Sequence, residues 1–257
     1  MSRRLEGKTA LVTGIGAGIG KGCALRFAAE GARVVGCDIN PDAARATVAE
    51  ASDSGLRIGS VHPCDLTRPA DVARVVTAAA GRQGRIDVLV NAAAIAPHTA
   101  PVWDMDYENQ WQPTMAGEVD LVFLVCQAAW PHLKASGSAS IINFASVNAF
   151  RASRTMAMVA HCAGKGAVLA MTRQLAAEGG ADHIRANTIA PGLIQTAATA
   201  SAGASSGALA DSIVKRTLLG RLGVPDDVAW CAVYLASDES RWVTGANFPV
   251  DGGVTAA

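Results

Sequence analysis

An apolar run that empties directly into a glycine-rich turn constrains this chain more than any other feature. Thr9-Ala-Leu-Val-Thr13 reads as a buried strand, Gly14-Ile15-Gly16-Ala17-Gly18-Ile19-Gly20 follows, and Ile19 to Glu30 has the pattern of a helix. Glycines remove side chains where a backbone must approach an anion closely. A helix that begins there aims its unbonded N–H groups at the same point. A glycine-rich turn alone says little, because turns use glycine freely. As the first strand-to-helix turn of an alternating chain it reads as a dinucleotide pyrophosphate cradle.

The alternation continues to the end. Strands are expected at Arg33–Asp38, Arg57–Cys64, Ile86–Asn91, Ser140–Ala145, His183–Ile189 and Ala246–Val250. Between them lie helical stretches from Pro41 (with Asn40 as its N-cap), Pro69–Arg82, Tyr107–Lys134, Met158–Gly179 and Asp226–Ala236. Strand–helix alternation predicts an α/β, Rossmann-type doubly wound parallel sheet of about seven strands, with helices on both faces. No internal repeat or linker divides the chain, so residues 1–257 are expected to form a single domain. The Ala/Ser/Thr/Gly-rich stretch Ala197–Ala210 has little to anchor it and is expected to be a mobile loop.

Half of the residues are hydrophobic, 17% are charged and the formal net charge is +0, which supplies a large core and leaves no basic stripe for nucleic acid. No stretch approaches the roughly 20 apolar residues of a membrane helix. The six cysteines are scattered without a CxxC pair, as in a cytoplasmic protein with reduced thiols and no metal site.

Asp38 stands 24 residues past Gly14, at the end of the second strand. A carboxylate there can accept hydrogen bonds from both adenosine ribose hydroxyls and would repel a 2′-phosphate, so NAD is the expected cofactor. Asp38 as a simple turn residue before Asn40-Pro41 is the competing reading. The Thr-Gly-x-x-x-Gly-x-Gly spacing resembles the short-chain dehydrogenase/reductase family, and the likeness runs along essentially the whole chain. The resemblance implies a nucleotide site built from Gly14, Gly18, Ile19 and Gly20, from Asp65 and Leu66 beside the adenine, and from Asn91-Ala92-Ala93-Ala94 in place of Asn-Asn-Ala-Gly. It also implies a nicotinamide site at Pro191, Gly192, Ile194 and Thr196. Gly220-Arg-Leu-Gly223-Val-Pro225 and Val250-Asp-Gly-Gly253 resemble the family's C-terminal signature.

The family's chemistry rests on Ser, Tyr and Lys with an Asn from the long helix. By resemblance Ser146 supplies the serine and Lys165 the lysine, which also binds the nicotinamide ribose. Four residues before Lys165, where tyrosine belongs, stands His161. The i, i+4 spacing keeps His161 and Lys165 on one helix face. The stretch from Ser146 to His161 is longer than the family's usual one, which implies a small insertion in Val147–Thr155. In the Asn slot stands Glu118, which either pairs with Lys165 and the proton relay or turns into solvent. Histidine suits acid–base work near neutral pH. Lys165 and NAD⁺ are expected to favour its neutral, basic form and hence alcohol oxidation. The competing reading is a degenerate site that tolerates a polar ring.

His98 either lines the substrate pocket or sits in a surface loop. The pocket segments are small and apolar, which suggests a small uncharged alcohol or ketone. The resemblance implies a homotetramer. Two alternatives keep the fold: a non-redox proton transfer or elimination, and an NAD-binding protein without turnover.

Overall fold

The computed structural model describes residues 3–153, 156–201, 203 and 206–256. Seven parallel strands form one sheet: β1 (Thr9–Thr13), β2 (Arg33–Cys37), β3 (Ile58–Val61), β4 (Val88–Asn91), β5 (Ala139–Phe144), β6 (Ile184–Pro191) and β7 (Asn247–Val250). Their order is β3-β2-β1-β4-β5-β6-β7. The central strands β1, β4 and β5 are buried along their whole length, as strands covered on both faces must be. One apolar layer packs Leu11, Leu89 and Ile141 under α3 (Pro69–Ala80) and α5 (Leu121–Ser136). The opposite layer packs Val12, Val90 and Ile142 under α1 (Gly18–Ala29) and α9 (Pro225–Ala236).

Chain order reverses between β1 and β4, and ligands of open α/β sheets bind at the carboxyl ends of the strands flanking such a point. Asn40 caps α2 (Pro41–Asp53) by accepting hydrogen bonds from the N–H groups of Asp42 and Ala43.

The long helix after β4 is not one regular α-helix. It runs as a π-helical segment (Tyr107–Trp111), α4 (Gln112–Met115), a second π segment (Ala116–Asp120) and α5. Pro113 has no N–H to continue the i→i−4 ladder after the first π segment. The stretch Ala197–Ala210 also departs from the expected loop. It holds α7 (Ala197–Ser201) and the start of α8 (Gly207–Val214), alanine's helix propensity having prevailed; residues 202, 204 and 205 lie outside the described residues. Of the segment Val147–Thr155, Val147–Ala149 is a 3₁₀ turn, and residues 154 and 155 lie outside the described residues.

Candidate active site

A cleft of about 390 Å³ opens over the carboxyl ends of β1, β2 and β4. Gly14, Gly18, Ile19, Gly20, Asp38, Asp65, Leu66, Ala92, Ala93 and Thr196 all line it. A larger but shallower depression of about 610 Å³ lies outside α1, but its charges are already paired (Lys21 with Glu50, Arg26 with Asp226) and of the glycine turn only Gly18 lines it.

The turn is built for a close approach. Gly14 has φ +72°, and a Cβ there would come within 2.8 Å of Ala93 Cα. The Thr13 hydroxyl accepts a hydrogen bond from the Ala93 N–H at 2.9 Å, tying the turn to the strand across the reversal point. Asp38 is oriented by backbone: Oδ2 accepts from Gly16 N–H at 2.7 Å and Oδ1 from Asn40 N–H at 2.8 Å. A turn held against a helix N-terminus, with an anchored carboxylate at the next strand end, fits the pyrophosphate and ribose of a dinucleotide. Asp65 Oδ1 accepts from the Thr67 N–H and hydroxyl, so this carboxylate shapes its own turn at the cleft edge.

Other expected residues lie elsewhere. Asn91 turns into the sheet interior. Its Nδ2 donates to Asn143 Oδ1 at 2.8 Å, Asn143 donates to Thr172, and Thr172 donates to the Val168 carbonyl. Pro191 ends β6, Gly192 packs against Asp251, and Ile194 is buried in a bridge to Gly223. The Thr196 hydroxyl accepts from Thr199 N–H at 3.1 Å at the head of α7 and lies 3.2 Å from the Thr199 hydroxyl, which donates to the Ile194 carbonyl at 2.8 Å.

Ser146 stands just past β5, its hydroxyl accepting from Asn148 N–H at 3.1 Å. His161 and Lys165 lie on α6 (Val159–Gly179). Lys165 is buried and donates to the Phe144 carbonyl at 3.3 Å. Burial holds its pKa below the usual lysine range, and the Glu118 charge opposes that shift in part.

The expectation that Glu118 turns into solvent is corrected: it sits buried in the second π segment at 1% exposure, and its direct ion-pair partner is His161 in place of Lys165. The Glu118 Oε1 to His161 Nδ1 distance is 2.6 Å. Glu118 Oε2 is buried with no hydrogen-bond partner among the described residues, and a Cβ on Gly164 would come within 2.6 Å of it. Along the sequence Glu118 carries no mark of its partner except Gly164, the small residue between His161 and Lys165.

A family model described as "Enoyl-(Acyl carrier protein) reductase" matches residues 14–255. D-threitol dehydrogenase of Mycolicibacterium smegmatis is 38% identical over 256 residues, 98% of this chain and 94% of that protein. Meso-2,3-butanediol dehydrogenase of Serratia marcescens is 36% identical over 255 residues, 99% of this chain and 97% of its own. The chain belongs to the short-chain dehydrogenase/reductase family. The fold agrees: a short-chain dehydrogenase/reductase structure from Mycobacterium marinum superposes with TM-score 0.92 at 32% identity, covering 100% of this chain and 98% of that one. A structure from Beutenbergia cavernae with NADP bound at low occupancy superposes at 0.90, with 33% identity and 100% of both chains covered. Among the described residues no helix is long and apolar enough to cross a membrane.

Proposed function

We propose that this protein is an NAD-dependent oxidoreductase that interconverts a small secondary alcohol and its ketone, with a Glu118–His161 pair as the acid–base device. The observation that carries the reading is the 2.6 Å contact between buried Glu118 and half-buried His161. An ionised carboxylate only accepts hydrogen bonds, so in this reading His161 donates through Nδ1–H, and the neutral ring keeps its lone pair on Nε2. In oxidation, Nε2 takes the proton of the substrate hydroxyl. Glu118 then faces the positive charge that forms on the ring, the role a buried carboxylate plays behind an acid–base histidine. In reduction the same proton returns to the substrate oxygen. Ser146 donates its hydroxyl proton to that oxygen and orients it. Lys165 binds the nicotinamide ribose, its ammonium steadied by the Phe144 carbonyl. The bound dinucleotide supplies the hydride acceptor or donor.

NAD is favoured over NADP by the anchored Asp38 carboxylate and by Ile39, 65% exposed, where a cation would be needed to meet a 2′-phosphate. The described walls of the cleft hold no lysine or arginine. The relatives named for threitol and butanediol support a small hydroxylated substrate. Membership of the family supports a homotetramer.

The test is NAD⁺ and NADP⁺ reduction followed at 340 nm across a panel of secondary alcohols. The expected result is turnover with NAD⁺ that His161→Ala lowers on the order of 10²- to 10⁴-fold, the usual weight of a general base. Asp38→Ala is expected to narrow the gap between the two cofactors. Restored or raised activity in His161→Tyr would mark the histidine as a lesion and overturn its role.

A further inference from the structure

The Glu118–His161 contact has a counterpart one helical turn earlier. His98 leaves β4 on the loop whose preceding residues, Ala94 to Pro97, wall the nucleotide cleft. The loop is pinned at both ends: Ile95 N–H donates to the Gly117 carbonyl at 3.3 Å, and Ala100 pairs with Met158, the residue before α6. His98 Nδ1 lies 3.0 Å from the Thr114 hydroxyl oxygen. That hydroxyl has one proton, which it donates to the Gln110 carbonyl at 2.7 Å. Thr114 Oγ1 must therefore accept from His98 Nδ1–H, and a neutral His98 keeps its lone pair on Nε2.

Thr114 and Glu118 are fully or almost fully buried, at 0% and 1% exposure, and stand four residues apart on the same helical run. Each clamps one imidazole by Nδ1. The α4 segment that carries Thr114 and the π segment that carries Glu118 both pack against α6. Neither Nε2 has a hydrogen-bond partner among the described residues. Pro97, the residue before His98, and Gly117, the residue before Glu118, line the same cleft.

We propose that His98 accepts a hydrogen bond from a second substrate hydroxyl, and that the site takes a short vicinal diol or polyol in preference to a simple alcohol. The proposal rests on the reading of His161 as the residue that meets the reacting hydroxyl. One hydroxyl faces His161 Nε2 and its neighbour faces His98 Nε2, which sets which carbon is presented for oxidation. Thr114 is a positioning residue that fixes the His98 tautomer.

The experiment compares 2,3-butanediol with 2-butanol in the wild-type chain, His98→Leu and His98→Gln. For His98→Leu the diol is expected to lose about tenfold in kcat/KM, mostly through KM, the usual effect of deleting one net hydrogen bond. The mono-alcohol should change less than twofold, and His98→Gln, which keeps an acceptor, should retain most diol activity. Diol binding to the enzyme–NADH complex, read from NADH fluorescence, should weaken in parallel while NADH affinity stays constant. Equal losses for both alcohols, or no loss for the diol, would overturn the role of His98. If no alcohol reduces NAD⁺ in the wild-type chain, the proposed reaction fails. The fluorescence titration then still decides His98, because diol binding unaffected by His98→Leu removes it as a diol acceptor.

Discussion

A histidine presents its basic lone pair at one defined nitrogen when the proton on the other is held in place. At His161 that hold is one carboxylate oxygen, Glu118 Oε1, in a position almost closed to water. Glu118→Gln tests the hold while leaving volume nearly unchanged. A glutamine amide can present its NH₂ to the ring and stabilise the opposite tautomer, with Nε2 protonated and unable to take the substrate proton. The expected outcome is a fall in kcat on the order of 10²-fold or more with NADH affinity preserved, since wrong-tautomer variants of such pairs lose rate and not fold. Steady-state kinetics beside an NADH fluorescence titration would show it. Unchanged kcat would mean that Glu118 serves packing alone.

Two elements must meet for that hold to exist, the helical run from Tyr107 to Ser136 and α6. The π segment Ala116–Asp120 widens one turn of the run and carries Glu118 into the interface; such single-turn π segments recur at functional sites. On the facing helix, Gly164 is the position that leaves room. Gly164→Ala would ordinarily favour a helix, by roughly 0.5–1 kcal/mol. Here its Cβ would fall 2.6 Å from a buried oxygen, too close for any real contact. We expect a net destabilisation of about 1–3 kcal/mol, the range for overpacking a filled interior. Urea unfolding would measure it, and the penalty should shrink in a Glu118→Ala background, where the obstructing oxygen is gone. An equal penalty in both backgrounds would show that the clash is not with Glu118.

Across the whole molecule the sheet separates two apolar layers, and each hides cysteines. Cys23 and Cys126 are buried on opposite faces, and burial pushes both thiols up to about 12. Thiolate is the reactive form, so neither should be alkylated in the native state near pH 8. Both should become reactive together when the chain unfolds, because each layer packs on the same central strands. Iodoacetamide labelling along a denaturant series, read by mass spectrometry, checks this. Labelling of Cys126 well before Cys23 would show that the two faces open separately. Trp242 is 97% exposed and Phe123 50% exposed, apolar area that the proposed homotetramer would cover. Light scattering decides that state.

The strand–glycine–helix unit, the order of alternating elements, Asn40 as a cap and Asp38 at the end of β2 were all legible along the chain. They are local: a capping side chain, a turn residue and a two-sided apolar strand each leave their mark within a few neighbouring positions. That His161 and Lys165 share a helix, one turn apart, was legible for the same reason. What became of Glu118 was not legible, nor that Asn91 faces the sheet interior, nor that His98 is held by Thr114. Those outcomes depend on pairs 43, 52 and 16 residues apart. A buried donor or acceptor bonds whichever group the packing of sheet and helices brings within 3 Å, and that partner is selected in space rather than along the chain.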